Sequence, residues 1–274
     1  MSDSVKQRAY AKLNLALSVT GRTGGYHTIE TLFQSIDLYD VLTLSKRNDK
    51  DITSDFSGDN SLVVLSALQK EFSLGGMHVS TEKHIPLAGG LGGSSADAAA
   101  AALACARLYD LPQKAVFDCV KDLFGDVAFQ MTTGTAVGRG IGSDLTPLAP
   151  LPAYYVLLAF PSAGVSTKEA YDLCDRTPHR DADIAALHEA LLRGEKAQAY
   201  YVNDLLSPAL ELNGEIAPLL ADMTDDDALL TGMSGSGSTL FSLYKTEDAA
   251  LAKAAALSAP TLVTRLINPN AGGK

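Results

Sequence analysis

The stretch Pro86-Leu87-Ala88-Gly89-Gly90-Leu91-Gly92-Gly93-Ser94-Ser95-Ala96-Asp97 runs directly into the alanines 98–102. Glycine tolerates positive φ and lets backbone approach a ligand closely. Alanine is the strongest helix former, so a helix is expected from about Ser94 to Tyr109. Ser94 or Ser95 is expected to cap it, with Asp97 in its first turn. A glycine loop whose amides and helix N-terminus converge on one spot is an anion site, and phosphate is the usual occupant. The spacing is neither of the common phosphate loops. No lysine follows the last glycine, as G-x-x-x-x-G-K-[ST] requires, and Ser95 stands where G-x-G-x-x-G needs its third glycine.

Outward from the loop, the N-terminal side reads as strands. Leu13, Leu15, Leu17 and Val19 alternate with Asn14, Ala16 and Ser18, the pattern of a strand with one buried face. Lys12 shares the opposite face with Asn14. The glycine-rich segment Gly21 to Gly25 leads into Tyr26-His27, an aromatic beside a histidine on a loop, suited to stacking on a flat ligand and bonding its edge. Further strands are expected at 28–36, 39–44 and 77–81, and an amphipathic helix at 61–72. After the loop and its helix, a second helix is expected at 114–124, stopped by Gly125 with Asp126 just beyond. The prolines of 147–152 read as the connection to a second domain. There strands at 155–160, 239–244 and 262–267 alternate with helices at 168–175, 183–192, 209–213 and 247–257. A second glycine-rich turn, Gly232-Met233-Ser234-Gly235-Ser236-Gly237, precedes the middle strand of the three.

Composition narrows the function. The 274 residues are 46% hydrophobic and 20% charged, normal for a chain that buries a core. A net charge of -10 without a basic block argues against a nucleic-acid partner, and an anionic substrate would need local positive charge. Cys105, Cys119 and Cys174 are odd in number and lack C-x-x-C spacing, so free thiols in a reducing cytoplasm are expected rather than a disulfide framework or zinc site. The polar start of the chain has no apolar signal-peptide core. No apolar run reaches the ~18 residues of a membrane span, so no membrane partner is expected.

Three motifs in order, Ala11-Lys12-Leu13-Asn14-Leu15, the loop from Pro86 to Ala100, and Gly232 to Gly237, make the chain resemble the GHMP kinase superfamily. The run Gly25-Tyr26-His27-Thr28, with Glu30-Thr31-Leu32-Phe33-Gln34 after it, resembles the branch that phosphorylates the 2-hydroxyl of cytidine diphosphate methylerythritol on the non-mevalonate route to isopentenyl diphosphate. The resemblance implies an α+β fold: an N-terminal domain like domain 2 of ribosomal protein S5 over residues 1–148, and a ferredoxin-like domain over 149–274. It implies ATP as phosphoryl donor, with Mg²⁺. Lys12 and Asp126 match the catalytic pair. Pro86, Gly89, Gly90, Leu91, Gly92, Gly93, Ser94 and Ser95 match the ATP-binding loop, with Asn60 towards the adenine.

For the substrate, Asn14 matches a group near the reacting centre. Tyr26 and His27 match the cytosine-recognising residues, Thr167 and Tyr171 lie on the substrate side with Tyr171 as the opposite stacking face, and Gly235 and Gly237 are expected to line the cleft. The metal ligands are not specified, and a homodimer is one expected assembly. Two departures stand out. Many members read Gly-Gly-Gly-Ser-Ser-Asp, whereas here the serines sit one place nearer the N-terminus relative to Asp97. Phe124-Gly125-Asp126 also replaces the more usual Gly-Ala-Asp or Gly-Ser-Asp. Two alternatives remain: another small-molecule kinase of the superfamily, of mevalonate or homoserine type, and a non-catalytic nucleotide-binding regulator.

Overall fold

A long hairpin organises the N-terminal half. In the computed structural model, which describes residues 3–56, 60–177 and 179–268, β1 (Ser4–Thr23) pairs antiparallel with β2 (Tyr26–Arg47). The two-residue link Gly24-Gly25 has φ of 54° and 84°, the positive pair that a tight hairpin turn demands. The strands expected at 28–36 and 39–44 are one continuous strand. Tyr10 faces Tyr39 and Lys12 faces Ser35, so residues 36–38 bulge opposite Ala11. That bulge interrupts the alternation without ending the strand.

β3 (Ile52–Ser54), α1 (Ser61–Phe72) and β4 (Gly76–Glu82) follow. Then come α2 (Gly93–Tyr109), α3 (Gln113–Val120), α4 (Val127–Thr132), β5 (Thr135–Gly140) and β6 (Asp144–Pro147). The six-stranded sheet runs β3-β4-β2-β5-β6, with β1 on β2. α2 lies close against it because its buried face is alanine, from Ala96 through Ala104. α3 ends at Val120, short of the expected 124. The separate α4 was not anticipated, because its six residues are too few to show a period.

The C-terminal half contains β7 (Tyr155–Ala159), α5 (Thr167–Cys174), α6 (Ile184–Leu192), a 3₁₀ turn at Gln198–Tyr200, α7 (Leu206–Leu212) and α8 (Ile216–Met223). It closes with β8 (Leu230–Met233), β9 (Leu240–Tyr244), α9 (Glu247–Ala256) and β10 (Thr261–Arg265). Its sheet is antiparallel in the order β10-β7-β9-β8. Numbered within this half, that is 4-1-3-2, the order expected of a ferredoxin-like domain. β7 serves two cores by simple alternation. Val156 and Leu158 join the large cluster that includes Leu13, Leu15 and the α2 alanines, while Leu157 and Ala159 face Ile216, Met223 and Tyr244. Among the described residues no helix is long and apolar enough to cross a membrane, and all three cysteines are free.

Candidate active site

The glycine loop between β4 and α2 closes against two other segments because two glycines leave room for them. At Gly90, with φ of 73°, a Cβ would lie 2.1 Å from the Ser234 carbonyl oxygen. At Gly92, with φ of 71°, it would lie 2.9 Å from Lys12 Cε. The first contact joins the loop to the turn between β8 and β9, the second to β1. The expected serine cap is corrected. Gly92, in the left-handed conformation, precedes α2, and no side chain caps the helix. The left-handed residue turns the chain so that Ser94 and Ser95 fall inside the first turn, where both line the cleft. Asp97 lies beyond the first turn and faces away from the cleft. It is fully buried, 2.5 Å from Lys83 Nζ, and Lys83 also binds Asp40 at 2.5 Å.

Lys12 is 4% exposed, and its ammonium joins three segments of the chain. It donates to Asn14 Oδ1 at 2.5 Å and Gly90 O at 3.1 Å, and lies 3.3 Å from Asp126 Oδ2. Asp126 reaches this point from the residue that precedes α4. Asn14 donates through Nδ2 to Thr31 Oγ1 at 2.8 Å and through its backbone to Ser234 Oγ at 3.2 Å, and Ser234 in turn donates to Gly90 O at 2.9 Å. Gly90 O is therefore shared by Lys12 and Ser234. Ser234 lies inside the Gly232–Gly237 turn, where a serine between glycines carries no signal in the sequence to mark it as functional.

Lys12, Asn14, Gly90 and Asp126 form one wall of a cavity of about 560 Å³ lined also by Pro86, Gly89, Leu91, Gly93, Thr167, Tyr171 and Gly235. Gly235 admits the approach of Asn14: a Cβ there would lie 3.1 Å from Asn14 Oδ1. Gly237 does not line the cleft, contrary to expectation. Met233 Sδ fills the space beside it, and its amide donates to Ser234 O, so it shapes the turn from behind. Asn60 also lies off the cavity wall, ahead of α1, with its carbonyl accepting from Val64. Among the described residues lining the cavity, Lys12 is the one cation, and it is already paired. No group of three or more metal-ligating side chains occurs among the described residues.

The far end of the cleft is built from both halves. Thr167, at the start of α5, shares a 2.9 Å hydrogen bond with Ser236. One turn on, Tyr171 stacks on His27, with ring centroids 4.6 Å apart. That contact covers one face of Tyr171, the residue expected to offer a stacking surface. Burial, aided by the charge of Asp126, pushes the Tyr171 hydroxyl well above the usual phenol range. Tyr26 is 71% exposed at the hairpin end, and neither it nor His27 lines the main cavity. His27 Nε2 lies 2.8 Å from Asp175 Oδ1, and Arg22 Nη2 pairs with the other carboxylate oxygen. The hydrogen bond from His27, then the bond and charge of Arg22, hold the Asp175 carboxyl below the usual range despite partial desolvation.

The GHMP kinases N terminal domain model matches residues 60–136 and the GHMP kinases C terminal model matches 183–260. The 4-diphosphocytidyl-2-C-methyl-D-erythritol kinase of Desulfitobacterium hafniense (strain Y51) is 37% identical over 260 residues, covering 90% of each chain. A crystal structure of a 4-(cytidine 5'-diphospho)-2C-methyl-D-erythritol kinase superposes with a TM-score of 0.81 at 32% identity, over 96% of this chain and 99% of that one. Homoserine kinase from Cytophaga hutchinsonii superposes at 0.68 with 18% identity, over 98% of this chain and 96% of that one, a likeness of fold alone.

Proposed function

We infer the roles of the site residues from the premise that the chain belongs to the GHMP kinases and, within them, to the 4-diphosphocytidyl-2-C-methyl-D-erythritol kinases. It is a kinase that phosphorylates the 2-hydroxyl of 4-diphosphocytidyl-2-C-methyl-D-erythritol in isoprenoid precursor synthesis. The observation that carries the residue assignment is the Lys12–Asp126 pair, 3.3 Å apart and tied to the glycine loop through Gly90 O.

The substrate hydroxyl attacks the γ-phosphorus, the bond to the β,γ-bridging oxygen breaks, ADP leaves, and the hydroxyl proton passes to Asp126. Phosphoryl transfer has a loose transition state, so orientation of the hydroxyl matters more than its early deprotonation. A carboxylate fixed in position by a lysine 3.3 Å away suits that task. An ammonium has three protons to donate. Those of Lys12 are engaged by Asn14, Gly90 O and Asp126, so its first role is to fix Asp126 against the loop.

The loop amides and the N-terminus of α2 receive the β- and γ-phosphates. Ser94 or Ser95, in the first turn of α2, would hold Mg²⁺, a hard cation that keeps several waters and needs few carboxylates and that would offset phosphate charge. Tyr26 and His27 meet the cytosine. We assign the reaction to the cytoplasm, where ATP and reduced thiols coexist.

Asp126→Ala is expected to bind ATP in calorimetry with affinity near that of the parent while turnover falls by about 10³-fold or more. Loss of nucleotide binding together with turnover would overturn the assignment. A panel of mevalonate, homoserine and the cytidyl substrate with ATP tests the acceptor, and turnover of the last alone is expected.

A further inference from the structure

We propose that Asp175 sets the nucleobase specificity of this kinase: by holding the Nε2–H of His27 it leaves Nδ1 as a hydrogen-bond acceptor, which selects a base that offers an amino group, cytosine over uracil. The proposal rests on the reading of Tyr26 and His27 as the base subsite.

Asp175 is not there for its helix. It occupies the C-cap of α5, where the helix dipole disfavours a negative charge. Its side chain instead crosses to the β1–β2 hairpin, with Oδ1 on His27 and Oδ2 on Arg22. His27 Nε2 has two neighbours, the Asp175 oxygen at 2.8 Å and Arg22 Nε at 3.2 Å. It can give a proton to the first or a lone pair to the second, but not both. The carboxylate contact is shorter and made to a full negative charge, so the proton sits on Nε2. A neutral imidazole protonated at Nε2 carries its lone pair on Nδ1. The ring cannot easily turn this pattern over, because it is stacked on Tyr171, a cleft residue.

The two pyrimidines present opposite chemistry at position 4. Cytosine offers an N4 amino donor, while the uracil-type edge offers an O4 acceptor. An acceptor at Nδ1 bonds the first and sets two lone pairs face to face with the second. A site built around one such hydrogen bond rejects the mismatched partner far more strongly than a missing methylene would be rejected. Asp175 touches neither substrate nor nucleotide in this scheme and is a positioning residue.

The test is steady-state kinetics with cytidine and uridine diphosphate methylerythritol on the parent enzyme, Asp175→Ala, Asp175→Glu and His27→Ala, with circular dichroism melting as a control for folding. The parent is expected to favour the cytidine substrate by about 100-fold or more in kcat/KM. Asp175→Ala should lose at least about tenfold of that preference through KM for the cytidine substrate, and Asp175→Glu should recover most of it. An unchanged preference in Asp175→Ala, or equal losses with both substrates, overturns the proposal and leaves Asp175 as a tie between the two halves. A parent without preference, or a His27→Ala variant that keeps it, instead sinks the base subsite itself.

Discussion

Gly90 and Gly92 look equivalent in the chain, yet they face different obstacles. A side chain at Gly90 would strike the backbone oxygen of Ser234 at 2.1 Å, which cannot move without parting the loop from the β8–β9 turn. At Gly92 the nearest atom, at 2.9 Å, is Cε of Lys12, a buried side chain whose ammonium lies on Asp126. Both positions also carry the strain of positive φ, about 1–2 kcal/mol for an L-residue. Gly90→Ala is therefore expected to lower the melting temperature markedly, since clash adds to strain. Gly92→Ala should lose less stability than Gly90→Ala, since side chains rather than backbone must shift, but should lose kcat because Lys12 is pushed from Asp126. Melting curves beside kcat for the two variants check this, and equal stability losses would sink the distinction. Lys12, Asn14, Asp126 and the glycine loop were legible as residue types in motifs. The capping of α2 was not, because a serine that could cap and a glycine that turns the chain compete one or two positions apart, and only the φ of Gly92 decides. Asp175 left no signal at all, since a carboxylate at a helix end reads as solvated.

The glycine loop is held at its entrance by elements that take no part in the chemistry. Lys83 follows β4 and binds Asp40 of β2 and Asp97 of α2, both fully buried. Asp40 also accepts the amides of His84 and Ile85, so β2, β4 and α2 are pinned together by the three residues that precede Pro86. Burial pulls the Lys83 ammonium down, but its bonds to Asp40 and Asp97 outweigh that, and its pKa is raised. A lysine raised in the folded state contributes fully below its unfolded value of about 10.4, and the contribution fades as pH climbs through the folded value. Lys83→Met should thus cost about 3–5 kcal/mol by leaving two buried carboxylates without their cation. The cost should stay level from pH 7 to 9 and shrink only in strong alkali. Urea unfolding of both proteins across that range measures it, and a cost that already declines between pH 7 and 9 would count against this account. Elements of this kind were partly legible. The alternation from Leu13 to Val19 gave away β1, and the alanines gave away α2. α8 was missed although Ile216, Leu219, Leu220 and Met223 stand at helical spacing, while β3, with three residues, carries too little pattern to read.

At the scale of the whole molecule, the order of the three motifs was legible and their convergence was an inference from resemblance, because no local pattern reports contacts between residues so far apart in the chain. Several such contacts do more than build the cleft. Ile267 donates to Ser35 O and accepts from Gln34 Nε2, Leu17 donates to Val202 O, Val19 donates to Asp204, and Thr264 donates to Asp37 O. The largest hydrophobic cluster contains Leu13 and Leu65 from one half and Val156, Leu187 and Phe241 from the other. We therefore propose that the division into 1–148 and 149–274 is one of topology and not of stability. Domains that fold alone keep separate cores joined by polar interfaces, whereas here the halves share one. The full chain is expected to unfold in a single calorimetric transition whose van't Hoff and calorimetric enthalpies agree. ATP should then shift the whole transition upward, because a ligand that binds only the native state stabilises everything that unfolds with it. Two resolved transitions, with ATP moving only the one that reports the N-terminal half, would show that the shared cluster does not couple the halves and that the cleft opens without cost to its walls.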